Sequence, residues 1–143
     1  MKKSVRLFTA SLILVVIAVT LAGCPNRQLC CHKYKIESEL STYCNNHRNA
    51  VAKYFEAAEN DSEKGLRFDN FKEFYSSVET CTSVDCIETE IINNAAIPDF
   101  YEFYNEEHKY AEKETNIDTN VKAAVILCGF KHAIDAFEKL LSK

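Results

Sequence analysis

The chain has no tryptophan, one methionine, two prolines and three glycines in 143 residues. No stretch alternates apolar and polar residues as a half-buried strand does, and no repeat recurs. A Gly-rich loop that could cradle phosphates is missing too. Neither Cys-x-x-Cys nor His-Glu-x-x-His occurs, so the common redox and zinc-hydrolase signatures are absent. No serine or cysteine stands beside a base in a way that marks a nucleophile, and no enzymatic activity is expected. Basic residues are not in excess, since 17 Lys and Arg face 21 Asp and Glu. An acidic surface repels phosphate backbones, which argues against nucleic acid as a partner.

What is present begins at the N-terminus. Lys2, Lys3 and Arg6 lead into the apolar run Leu12 to Val19, and then into Leu21-Ala22-Gly23-Cys24. This is the order of an export signal: a positive start, a short apolar core and a small-residue cleavage zone. The core is too short to span a bilayer, which takes about 20 apolar residues. Residues 1–23 are therefore expected to be a signal peptide, 24–28 a tether and 29–143 a single helical domain. The Leu21-Ala22-Gly23-Cys24 sequence resembles the lipobox of bacterial lipoproteins. That resemblance implies a lipidated Cys24 and a membrane anchor, each buried methylene contributing about 0.8 kcal/mol. Cleavage after Ala22 or Gly23 by an ordinary signal peptidase, giving a secreted protein, is the alternative.

Loss of residues 1–23 leaves 14 of the 17 basic residues against all 21 acidic ones. The excess is concentrated between Glu79 and Glu114, where ten acids meet only Lys109 and Lys113. Such a stretch serves as a solvated helix face or as a docking face for a basic partner. The seven cysteines are Cys24, Cys30, Cys31, Cys44, Cys81, Cys86 and Cys128. In an exported chain this density reads as disulfides. A lipid on Cys24 would leave Cys30, Cys31, Cys44, Cys81, Cys86 and Cys128 to close three bridges, in any of 15 connectivities. Each bridge would stabilise the fold by about 2–4 kcal/mol.

Apolar residues in the body recur at helical spacing. Ile36, Leu40, Tyr43, Cys44, His47, Val51, Tyr54, Phe55 and Ala58 make one stripe of a helix expected from about residue 31 to 58. The polar run from Glu59 to Gly65 reads as a break. Phe71, Phe74, Tyr75 and Val78 form a second helix, with Asp69 or Asn70 as its cap. Ser83 is placed to cap a third helix carrying Val84, Ile87, Ile91 and Ile92. Pro98 suits a first helical position and Asp99 a first turn, opening a fourth helix that runs to about Glu114. A fifth spans from Asp118 or Thr119 to Leu141, with Val121, Val125, Cys128, Phe137, Leu140 and Leu141 inward. Gly129 in its middle costs about 1 kcal/mol against alanine and would allow a close helix contact. The fold class is all-α: roughly five helices in a disulfide-stapled bundle behind an export signal.

The cysteine layout also resembles cysteine-rich helical domains of secreted nematode proteins. Cys31 and Cys44 bracket the start of the first helix, Cys81 to Cys86 follow Phe71-Lys-Glu-Phe74, and Cys128 opens the segment that runs to Phe137. Ser76 and Ser77 stand where that pattern has another cysteine, Glu138 stands near a further one, and Cys30 is additional. The resemblance implies an extracellular role with no known catalysis, and would make the lipobox a coincidence.

Two surfaces remain as candidates. Phe100, Tyr101, Phe103, Tyr104 and Tyr110 crowd the fourth helix on more than one face, whereas a helix has a single core-facing stripe. Tyr101, Tyr104, Glu107 and Tyr110 are therefore the expected partner surface, for a protein or a small apolar ligand. His108 with Glu107 and Glu112 offers an alternative, a metal-binding or enzymatic site, although His32, His47, His108 and His132 lack zinc-finger spacing. No metal or cofactor is assigned. Asn60-Asp61-Ser62 is a glycosylation sequon in the expected first loop.

Overall fold

Seven buried side chains on one stripe, Tyr43, Cys44, His47, Ala50, Val51, Tyr54 and Phe55, make the first helix the centre of the molecule. In the computed structural model, which describes residues 38–112 and 118–143, it is α1 (Ser38–Glu56). The other four are α2 (Asp61–Val78), α3 (Val84–Asn93), α4 (Phe100–Glu112) and α5 (Thr119–Leu141). The architecture is all-α, with no strand among the described residues. The expected signal at 1–23, the expected 24–28 tether, His32, Cys24, Cys30 and Cys31 lie outside the described residues, as do the side chains of Tyr110 and Glu112. None of the described helices is long and apolar enough to cross a membrane.

Helix α2 starts earlier than its apolar spacing suggests. The Asn60 side chain accepts a hydrogen bond from the Glu63 N–H at 2.9 Å, and the Glu59 N–H donates to the Glu63 carboxylate at 2.7 Å. This reciprocal arrangement satisfies N–H groups that a helix start would leave bare. Arg67 also donates twice to Glu63 Oε1, and together these donors hold the Glu63 carboxyl below its ordinary range, the Glu59 N–H contributing most. The expected break at 59–65 is thus confined to the corner before Asp61, and Gly65 sits within the helix. The sequon asparagine is the cap itself.

The Cys81–Cys86 disulfide closes the turn between α2 and α3, with Cα atoms 5.9 Å apart. Ser83 caps α3 as expected, accepting from the Cys86 N–H. Ile87 and Ile91 enter the core, but Ile92 is exposed, one residue off the buried stripe of this short helix. Helix α4 begins at Phe100, two residues later than Pro98 suggested. Asp99 adopts φ 67°, a left-handed conformation that Asp tolerates better than most residues. Its carbonyl accepts the Glu102 N–H at 3.1 Å. The sharp turn allows Ile97 and Phe100, which flank Pro98 and Asp99, both to be buried.

Asp118 caps α5 at its Asn120 N–H. From Val125 to Phe130 every residue of α5 is buried, because α1, α2 and α3 all pack on it. The last turn runs past the bundle. Leu140 and Leu141, expected inward, are more than 60 % exposed, because no described element packs over that end. The centre of the core is aromatic: Phe71, Phe100 and Phe130 meet in edge-on pairs with centroids 4.9–5.7 Å apart. Such pairs contribute about 0.5–1.5 kcal/mol each beyond their buried area.

Candidate functional site

The outer face of α4 is narrower than its aromatic content implies. Tyr101 is exposed, but Tyr104 is fully buried beneath Phe100, Phe130 and His108. The expectation of Tyr104 on a partner surface is therefore corrected: three residues from Tyr101, it falls on the stripe that faces α1 and α5. Glu107 is half-buried and forms an ion pair with Lys53 of α1, so it ties two helices together. What this segment does present to solvent is Tyr101 together with the exposed acids Asp99, Glu102 and Glu106.

His108 meets Glu88 of α3, with Nε2 3.5 Å from the carboxylate, instead of Glu107. Adjacent helical residues point about 100° apart, which separates the two. His108 also stacks on Tyr104, ring centroids 5.2 Å apart. Beside it lies His47, fully buried among Tyr43, Tyr104, His108 and Phe130. Neither ring nitrogen of His47 has a hydrogen-bond partner among the described residues. Burial, and secondarily the neighbouring His108, pushes its pKa down to about 3, so the ring is neutral at physiological pH.

One helical turn from His47 a second cluster forms across α1 and α5. The Cys44 sulfur, the Cys128 sulfur and a His132 ring nitrogen all lie within 4.8 Å of one another. His132 follows Cys128 by one turn on α5, and its Nε2 is 3.8 Å from the Cys128 sulfur. Gly129 creates the contact. A Cβ there would stand 2.6 Å from the Cys44 carbonyl oxygen and 3.0 Å from the Arg48 nitrogen, so only glycine lets the two helices approach this closely. The close contact expected of Gly129 is thus realised, against α1.

The three sulfur and nitrogen donors do not form a metal site as they stand. Cys128 is disulfide-bonded, so its sulfur is not a thiolate ligand. That leaves Cys44 and His132, fewer than the four ligands of a structural zinc site. Cys44 itself is fully buried. The Cys128–His132 spacing of four residues was visible in the sequence, but its juxtaposition with Cys44, 84 positions earlier, depends on tertiary packing. No family model, curated protein or solved structure matches the chain.

Proposed function

We propose that this is an exported, non-enzymatic binding module, tethered to a membrane through lipid on Cys24, that engages a basic protein surface through the outer face of α4. What supports the reading most is one grouping. Tyr101 keeps 42 % of its surface exposed, and Asp99, Glu102 and Glu106 of the same segment are exposed carboxylates. A half-open aromatic ring among acids suits an Arg- or Lys-bearing partner, whose cation can lie over the ring while its neighbours meet the carboxylates. The ordering of N-terminal charge, apolar run and Leu-Ala-Gly-Cys supports the export part of the reading.

Two measurements test it. Intact mass of protein from the native host should show a chain starting at Cys24 with added acyl mass; an unmodified or uncleaved chain would refute the anchor. A photoreactive phenylalanine analogue at position 101, irradiated in the native envelope, should yield a discrete adduct absent from a control placed at exposed Ser76 on α2. Equal labelling at both positions, or none, would refute the face.

A further inference from the structure

We propose that the contact between His47 of α1 and His108 of α4 is an acid-operated latch: a proton on His47 parts the Tyr104–Glu112 half of α4 from α1, while the Phe100 end stays in place. The fold holds no group to receive such a charge. His47 is fully buried, and neither ring nitrogen has a hydrogen-bond partner among the described residues. Its ring lies 4.6 Å from that of Tyr43 on its own helix, 5.4 and 5.7 Å from Tyr104 and His108 of α4, and 6.4 Å from Phe130 of α5. An imidazolium needs an anion or water, and this cage of rings supplies neither. The carboxylates of the interface are engaged elsewhere: Glu88 of α3 meets His108, and Glu107 of α4 meets Lys53 of α1. On α5 the titratable group is His132, beside Cys44 one turn along α1. His132 also offers no negative charge.

The element that gives way is α4. It packs on α1 and lightly on α3, whereas α5 is held by α1, α2 and α3. Helices α1 and α4 run antiparallel, with Tyr54 against Phe100 at one end and His47 against Tyr104 and His108 at the other. Phe100 is locked among Tyr54, Phe71, Phe74 and Phe130, so opening there would break the aromatic centre. The other end is held near the surface, by His108 against a partly exposed Glu88 and by Glu107 against a half-exposed Lys53. Water can therefore reach His47 once these few side chains move. Opening uncovers Tyr43, His47 and Tyr104, a surface that is concealed at neutral pH. The latch does not depend on the outward-facing residues of α4.

The sign follows from the two states. In the open form the imidazole recovers its ordinary pKa of 6.5, whereas in the closed form burial, and secondarily His108, hold it at about 3. The open form binds one more proton between those values, so its population should rise about tenfold per pH unit as pH falls below ~6.5. Hydrogen exchange of the full chain, with disulfides intact, reads this by peptide mass between pH 7 and 4.5 after correction for intrinsic rates. Segments 104–112 and 43–49 should lose protection about tenfold per pH unit, and should exchange faster than segment 125–134 of α5 at every pH. Low urea should leave their exchange unchanged, because a local opening exposes little surface. His47→Phe, which keeps a ring but takes no proton, should remove the pH dependence. Equal protection of α4 and α5 would mean that only the whole molecule opens, and would overturn the latch. Protection independent of pH, or a pH dependence that survives His47→Phe, would overturn it as well. The wild-type comparison of α4 with α5, with and without urea, decides by itself should the variant fail to fold.

Discussion

Two glycines in helix interiors should respond to the same substitution with opposite signs. Glycine costs a helix about 1 kcal/mol relative to alanine, because it has more backbone freedom to lose. At Gly65 of α2 an added Cβ meets nothing within 4 Å, and the backbone φ is negative, so Gly65→Ala should recover about 0.5–1 kcal/mol. At Gly129 the same gain is opposed by three contacts: 2.6 Å to the Cys44 oxygen, 3.0 Å to the Arg48 nitrogen and 3.0 Å to the His47 Cβ. Two of these are main-chain atoms of α1 and cannot rotate aside. To reach ordinary contact at 3.4–4 Å the helices must separate, loosening the packing of the core's central helix. Overpacking of this kind typically costs about 1–3 kcal/mol or more, which exceeds the propensity gain. Urea unfolding followed by circular dichroism, with disulfides intact, should show the midpoint rising for Gly65→Ala and falling for Gly129→Ala at unchanged slope. A Gly129→Ala chain as stable as the wild type would show that α1 and α5 do not meet there.

The pKa of His47, near 3 in the fold and about 6.5 in an unfolded chain, means the unfolded state binds more protons between those values. Stability should thus fall by about 1.4 kcal/mol per pH unit below pH ~6.5, and continue to do so towards pH 3. Urea midpoints of His47→Gln should decline less steeply between pH 6.5 and 5; an unchanged slope would refute the assignment. Tyr104→Ala should cost about 3–5 kcal/mol, in line with other buried aromatics, whereas Tyr101→Ala should stay within about 0.5 kcal/mol. Equal melting temperatures for the two variants would contradict the placement of α4. Replacing Cys81 and Cys86 together by serine should cost only about 2 kcal/mol, because the bridge closes a loop with a sequence separation of 5. A loss well above that would mean the turn between α2 and α3 stabilises more than its own loop.

The five helices were legible because each carries a buried stripe at helical spacing and most carry their own caps, as Ser83 and Asp118 show. The start of α2 was hidden, since Glu59 to Gly65 contains no apolar residue except Gly65's neutral backbone; the cue was the Asn60-x-x-Glu63 pairing. Asp99 was misplaced for another reason. A carboxylate is favoured in a first helical turn, but here the need to bury both Ile97 and Phe100 governs the backbone. Which rings of α4 face outward depends on where α1 and α5 lie, and an aromatic-rich helix does not disclose that. Least legible was the Cys44, Cys128 and His132 cluster, because spacing along one helix says nothing about a partner on another.

The pairing of α1 with α4 and α5 has a consequence for how the chain is made. Among the described helices the central one is made first, yet the two that pack most on it are encoded last. Until Phe130 and Phe137 have been synthesised, His47 and Phe55 lack ring neighbours that help to bury them. Contacts this distant in sequence are slow to form, and an apolar helix left waiting is prone to aggregate. Folding is therefore essentially a post-synthetic event.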